Sequence, residues 1–256
     1  MGAPHYDLRT RLADGRPFLF SWMVLAGSGL AAQMARLPIE GVCLDMQHGM
    51  IAFSDAVPMI AAINAAGRSA IVRCRWNHPD LVGQALDAGA AGVIAPMVNS
   101  RGEAEALVKA AKYPPTGSRS WGGPVQASGL GASQYLTQAN RLTMVFAMIE
   151  TEAALDAVEE IAATPGLDGL FVGPSDLSIA LSKGSGIDKT GASTITAMER
   201  IAAAAKANNL VAGAFGPDAD VVRAYSKLGY RFLAAGVDVD LLQAGAAALA
   251  EALRDI

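Results

Sequence analysis

Two acidic residues at the ends of apolar runs are the first sign of chemistry in this sequence: Glu150 closes "TMVFAMIE" and Asp176 follows "LDGLFVGPS". If both runs are consecutive strands of one sheet, the backbones of the two residues stand ~5 Å apart. Like charges at that spacing share a proton, pair with an arginine, or hold a hard divalent cation such as Mg²⁺ or Mn²⁺. Arg73 stands inside a third such run, "SAIVRCRW". A buried guanidinium needs an anionic partner, and its fork suits either the carboxylate of Asp45 on a neighbouring strand or the oxygens of a bound α-keto acid. Arg75, two positions on, lies nearer the rim, where water solvates it. A fourth run ends "LDMQHG" and puts His48 three residues past Asp45. A carboxylate orienting an imidazole there would make a proton-transfer device near neutral pH, the alternative being an exposed histidine without a role. The six lysines, at 109, 112, 183, 189, 206 and 227, fall on helical or polar stretches and none within an apolar run. That argues against imine chemistry, which needs a desolvated amine at a strand end. Cys43 and Cys74 read as small buried hydrophobes, His5 and His78 receive no role, and no Cys/His spacing suggests zinc.

These residues need a scaffold that brings many strand ends together. Eight β-rich runs alternate with Ala-rich helical stretches, at 18 to 25, 41 to 47, 69 to 76, 92 to 98, 143 to 151, 169 to 175, 210 to 216 and 231 to 237. Such alternation calls for a parallel sheet with crossover helices, and several runs lack strict polar alternation, as strands covered on both faces should. The helical pieces start on a cap or a Pro and stop at Gly: Ser54-Asp55, Pro79 and Pro217-Asp218 are the expected starts. Eight βα units without a Gly-rich dinucleotide loop after the first strand fit a (β/α)8 TIM barrel better than an open doubly wound sheet. Chemistry in that fold collects at the C-terminal ends of the strands. One domain over residues 1–256 is expected. Residues 113 to 142 break the rhythm; they are too long and too rich in Gly and Ser for a simple crossover, and loops of that kind tend to be lids or binding loops.

Composition narrows the function class further. The chain has 256 residues, 52% hydrophobic and 17% charged, with a net charge of -4. It offers no basic face for a phosphate backbone, so nucleic acid is not an expected partner. No apolar run reaches the ~18 residues of a membrane span and no secretory signal opens the chain, so no membrane association and a cytoplasmic location are expected.

The motifs "LDMQHG" (44 to 49), "VRCRWNHPDLVGQALDAGAAGVIAPMV" (72 to 98), "KYPPTGSRSWG" (112 to 122), "MIET" (148 to 151), "LDGLFVGPSDLS" (167 to 178) and "AAGVDVDLL" (234 to 242) occur in an order and spacing that are specific together. By them the chain resembles the HpcH/HpaI aldolases, metal-dependent (class II) enzymes related to 4-hydroxy-2-oxoheptanedioate aldolase and hydroxypyruvate aldolase. The resemblance implies reversible aldol cleavage of a 4-hydroxy-2-oxo acid to pyruvate or hydroxypyruvate plus an aldehyde. It implies a divalent cation on Glu150 and Asp176, Mg²⁺ or Mn²⁺, with Co²⁺, Ni²⁺ or Zn²⁺ as other candidates. It places the substrate carboxylate at "GPSD", over Gly173, Pro174, Ser175 and Asp176, with Arg73 on the keto oxygen stabilising the enolate. It makes His48, oriented by Asp45, the proton handler, and has Asp87 of "LDAG" reach that histidine across a subunit contact. It also implies a homohexamer whose C-terminal helix packs on a neighbouring subunit. Gln47 stands where the family commonly has Glu, which points to a hydroxylated donor such as hydroxypyruvate. Trp22 and Phe215 would wall the aldehyde side, or serve as ordinary barrel packing. A citryl- or malyl-CoA-type lyase, which should show a basic surface for its nucleotide, and a non-catalytic 2-oxo acid-binding protein are the competing readings.

Overall fold

In the computed structural model, which describes residues 7–122 and 130–254, eight parallel strands close into a barrel in chain order. They are β1 (Phe18–Met23), β2 (Gly41–Asp45), β3 (Ser69–Arg73), β4 (Gly92–Ala95), β5 (Met144–Ile149), β6 (Gly169–Val172), β7 (Val211–Gly216) and β8 (Phe232–Val237), with β8 pairing back onto β1. All eight predicted runs form strands, but most stop short of their predicted ends. The polar tails beyond Asp45, Arg73 and Val172 turn into loops or helix instead. Buried strands are apolar on both faces, and the chain leaves the sheet just past Asp45, Arg73 and Val172.

Around the barrel run α1 (Leu8–Ala13), α2 (Ser28–Met34), α3 (Phe53–Ala65), α4 (Pro79–Asp87), α5 (Arg101–Ala111), α6 (Ala132–Leu142), α7 (Glu152–Asp156), α8 (Val158–Ala162), α9 (Pro174–Leu181), α10 (Ala192–Ala207), α11 (Ala219–Lys227) and α12 (Asp238–Ala252). Pro79 opens α4 and Asp218 caps α11, accepting the N–H groups of Asp220 and Val221 at 2.9 Å, as the sequence predicts. The expected Ser54-Asp55 start falls within the first turn: α3 begins at Phe53, and Asp55 reaches back to accept the N–H of Ala52 at 3.0 Å. No helix among the described residues is long and apolar enough to cross a membrane.

The inside of the barrel is filled by aromatic rings. Phe232 stacks on Phe20 at 4.3 Å and on Phe146 at 4.4 Å between centroids. Glycines make room for them, because each large ring sits in register beside a strand position without a side chain: Phe20 beside Gly41, Phe146 beside Gly169, Phe232 beside Gly213. A Cβ on Gly169 would lie 2.4 Å from the Phe146 ring, and one on Gly213 2.7 Å from Phe171. Such alternation of large and absent side chains gives the layered, solid interior of this fold. Leu8 and Leu12 of α1 close it from below, both buried in the same cluster.

The N-terminal end of the barrel also carries a buried ionic network. Asp168 accepts from Lys112 Nζ at 2.6 Å and from Arg9, and Asp7 pairs with Arg141 at 2.6 Å. Lys112, at a helix end as the sequence suggests, is nevertheless desolvated: it is 2% exposed and also donates to the carbonyls of Asn140 and Thr143. Burial pulls its pKa below the usual lysine range, with Asp168 opposing that shift. Its partners stand at the strand starts, far from the strand ends where an imine would have to form. The described parts of the long segment 113 to 142 belong to this end too. Its helix α6 packs on α1, and Trp121 lies against the rings of Tyr113 and Tyr135 at 5.5 and 6.1 Å. These described parts do not cover the strand ends of their own chain; residues 123 to 129 lie outside the described residues.

Candidate active site

Asp45 and Arg73 are register partners on β2 and β3, so their side chains meet above the aromatic core. Arg73 Nε donates to Asp45 Oδ1 at 2.9 Å and Nη2 to Oδ2 at 2.5 Å, a two-pronged pair. The pairing with Asp45 that the sequence offered as an alternative is thus real, yet it engages only one edge of the guanidinium. Arg73 also lines a cavity of about 360 Å³, so its other edge is available to a ligand. Trp22, at the end of β1, donates its Nε1–H to Asp45 at 3.2 Å and lies 5.0 Å from the guanidinium carbon of Arg73. Burial alone would raise the Asp45 carboxyl, and the Arg73 hydrogen bonds and charge overcome it and hold the group below the usual range.

The loop after β2 is sewn to this carboxylate through its backbone. Gln47 and His48 donate their main-chain N–H groups to Asp45 Oδ1 at 3.0 and 3.2 Å. Asp45 thus fixes the position of His48 through the loop and not by gripping the imidazole, which corrects the expected carboxylate–imidazole contact. The His48 side chain is exposed and lines the cavity. Gly49 permits the tight return, since a Cβ there would fall 2.3 Å from the Asp45 carbonyl oxygen. Gln47 does not line the cavity; its Oε1 is buried without a hydrogen-bond partner.

Glu150 follows β5 directly and is 3% exposed. Its Oε1 accepts the N–H of Met97 at 2.7 Å. Met97 has φ +57°, a left-handed conformation that costs a non-glycine residue about 1–2 kcal/mol, so the chain bears strain to aim one donor at this carboxylate. Asp176 sits not at the end of β6, as the run suggested, but in the first turn of α9, past Gly173. The corner has a physical reason: a Cβ on Gly173 would lie 2.8 Å from Glu150 Oε2 and 2.6 Å from the Met148 methyl. Burial raises the Glu150 carboxyl above its usual range, the Met97 N–H opposes that, and the Asp176 charge adds to it. The main-chain N–H groups of the first turn of α9 have no acceptor within the helix, and Pro174, Ser175 and Asp176 of that turn line the cavity.

Phe215 on β7 meets Trp22 edge-on at 5.5 Å, so both aromatic residues pack on each other and also wall the cavity. Val24, Met148 and Val237 complete the wall. Asp238, fully buried, accepts the N–H groups of Val24 and Leu25 and fixes the loop after β1. Sequence reasoning missed Met97 and Asp238: nothing in "APMVNS" announces a left-handed methionine, and Asp238 is one acid of the pair in "VDVDLL". Asp87 does not join the group. It ends α4 at the far end of the barrel, where Arg119 Nη2 donates to it at 2.5 Å.

A filled parallel barrel with an arginine, an acid and a helix N-terminus around one cavity, and a second, buried acid beside them, has the make-up of a barrel enzyme. The chain belongs to the HpcH/HpaI aldolase/citrate lyase family, whose model matches residues 19–244. It is 38% identical to a hydroxypyruvate/pyruvate aldolase of Rhizorhabdus wittichii over 93% of this chain and 95% of that one. It is 32% identical to a 4-hydroxy-2-oxo-heptane-1,7-dioate aldolase of Klebsiella pneumoniae, over 93% of this chain and 90% of the relative. Among solved structures, an HpcH/HpaI aldolase/citrate lyase family protein of Burkholderia cenocepacia superposes with a TM-score of 0.87 at 34% identity, covering 96% of this chain and 99% of that one. The protein is a carbon–carbon lyase of the aldolase kind.

Proposed function

We propose that the protein catalyses the reversible, metal-dependent aldol cleavage of 4-hydroxy-2-oxo acids to pyruvate or hydroxypyruvate and an aldehyde. The observation that carries this reading is the carboxylate pair: Glu150, buried and raised by its surroundings, stands beside Asp176 with no cation of the described chain bonded to either. Two oxygen donors in that state fit a hard divalent cation, which would relieve both their repulsion and the burial of Glu150. Glu150 and Asp176 would hold it, and it would act as a Lewis acid toward the carboxylate and keto oxygens of the donor. Mg²⁺ and Mn²⁺ suit an all-oxygen donor set best, with Co²⁺, Ni²⁺ and Zn²⁺ as alternatives.

The chain's own residues supply the rest. N–H groups of Ser175 and Asp176 at the start of α9 receive the donor carboxylate. The free edge of Arg73 faces the keto oxygen and stabilises the negative charge that develops there as the C3–C4 bond breaks. Asp45 keeps that guanidinium oriented, so little reorganisation is needed when the charge appears. His48 is placed by its loop at the cavity wall to exchange the proton of the 4-hydroxyl. Trp22 and Phe215 exclude water from the aldehyde side. Gln47, off the cavity wall, would influence the donor only through the His48 loop; a hydroxylated donor remains part of the proposal. Asp87 would act only from a second subunit, and a homo-oligomer is part of the reading, up to a hexamer by resemblance. The surface of α12 supports it: Leu241, Leu242 and Leu249 on the helix and Leu253 just past its end are 44 to 62% exposed, and of the whole helix only Asp238 is buried.

The test is an aldol assay after chelation and re-addition of single divalent cations, with Mn²⁺ binding followed separately by electron paramagnetic resonance. Activity lost with chelator and restored by metal, together with Mn²⁺ binding that Glu150→Gln abolishes, supports the reading. Activity indifferent to metal overturns it.

A further inference from the structure

Of the five acids that are buried among the described residues, Asp7, Asp45 and Asp168 each face an arginine or a lysine. Glu150 and Asp238 enter no ion pair of those residues, and both follow the C-terminal end of a strand. Asp238 has no exposed surface at all, and its oxygens accept main-chain N–H groups: Val24 at 3.1 Å, Leu25 at 3.0 Å and Val239 at 2.9 Å. The helix dipole favours an acid in the first turn of α12, but it requires neither burial nor a contact outside the helix. A bulge provides both. β8 runs beside β1 as far as Phe20 opposite Ala234 and then gains a residue, so that Trp22 lies opposite Val237. Gly236, with φ +78°, lies in that extra length, in a conformation that glycine adopts at little cost. The residue after Val237 is thereby set against the chain that leaves β1.

What Asp238 holds in turn holds the loop that carries His48. Val24 gives its N–H to Asp238, and its carbonyl accepts the N–H of Met50 at 2.7 Å. Gly49 lies so close that a Cβ there would stand 3.1 Å from Val24 Cα. The loop is therefore fastened at both ends, by Asp45 at Gln47 and His48 and by Val24 at Met50. The first fastening comes from the loop's own strand. The second depends on an acid that arrives from the far end of the chain and does not itself line the cavity.

We propose that Asp238 is a positioning residue for the proton step: through the main chain of Val24 it sets where His48 stands at the cavity. This rests on the aldolase reading and adds to it a residue that acts without touching substrate. The test is a double-mutant cycle on the purified enzyme with Mn²⁺, cleaving 4-hydroxy-2-oxoheptanedioate or 4-hydroxy-2-oxovalerate. Asp238→Asn keeps the volume but gives up one of the two acceptor oxygens. Its kcat should fall about tenfold, part of the ~10²-fold that a 1 Å misplacement can cost. Inhibition by pyruvate, which Arg73 and the start of α9 would hold, should keep its wild-type constant. In a His48→Ala background the same substitution should leave kcat unmoved, because no imidazole remains to be misplaced; a merely structural loss would lower kcat equally in both backgrounds. Hydrogen exchange needs no turnover and reads the link directly: the Met50 amide should exchange faster in Asp238→Asn than in wild type. Should Asp238→Asn not fold, Met50→Pro removes the donor to Val24 at an exposed residue and carries the same expectation for kcat in both backgrounds. An unchanged kcat, equal losses in the two backgrounds, or unaltered protection of Met50 overturns the role of Asp238 and leaves the aldolase reading standing. Wild type that cleaves neither acid overturns the aldolase reading, and this proposal with it.

Discussion

At the N-terminal end of the barrel Asp168 is met by both Lys112 and Arg9, and Asp7 by Arg141. At the C-terminal end Glu150 is met by one backbone N–H and lies beside a second acid. Both ends bury charge, so burial alone does not mark a functional site. What separates them is balance: below, each carboxylate has its cation, whereas above, a strained Met97 and a glycine corner hold an acid where no side chain neutralises it. Acidic charge kept in place at a local cost is a mark of functional sites.

The contrast is sharpest if a change at one end touches only chemistry and a change at the other only stability. Arg73→Lys keeps a cation opposite Asp45 but loses the fork, and kcat/KM for aldol cleavage should fall about 10²–10³-fold, the scale of removing one donor to a developing oxyanion. Mn²⁺ binding, followed by electron paramagnetic resonance, should persist. Retained activity would break the distinction between the two ends. Lys112→Met should do the reverse. Breaking a buried pair costs about 3–5 kcal/mol, which denaturant unfolding would register, while kcat/KM per folded molecule stays at the wild-type value. The smallest effect concerns acid. The Asp45 carboxyl is lowered in the fold, so its contribution is complete above the unfolded value of about 4 and is lost as pH falls through the lower folded value. Stability measured against pH should decline less steeply below about pH 4 in Asp45→Asn than in wild type; parallel curves would remove Asp45 from the acid response.

The barrel was legible in the sequence because strands buried on both faces must be apolar runs and their connections need Gly, Pro and caps. Glu150, Arg73, Trp22 and Phe215 were legible for the same reason, each being polar or aromatic at the end of such a run. Asp176 was found by its run but misplaced, since "GPSD" reads as a strand tail until the helix that follows is seen. Contacts made across the fold left no local trace. Lys112 sits in "KAAKYPP", which looks like a solvated helix end, and becomes buried only because Asp168 and two carbonyls converge from distant segments. The grip of Asp45 on His48 was right in partner and wrong in atom, because spacing along a chain says which residues meet and not whether backbone or ring does so.

The stacked phenylalanines in the barrel have a kinetic meaning. The aromatic cluster below, closed by Leu8 and Leu12, fills the barrel under the cavity, and in the proposed reading the 2-oxo acid lies deeper in that cavity than the aldehyde. Depth in such a cavity sets an order of traffic. Under that reading the aldehyde would depart first in cleavage and the 2-oxo acid last, and in synthesis the donor would enter first and then be covered by its own acceptor.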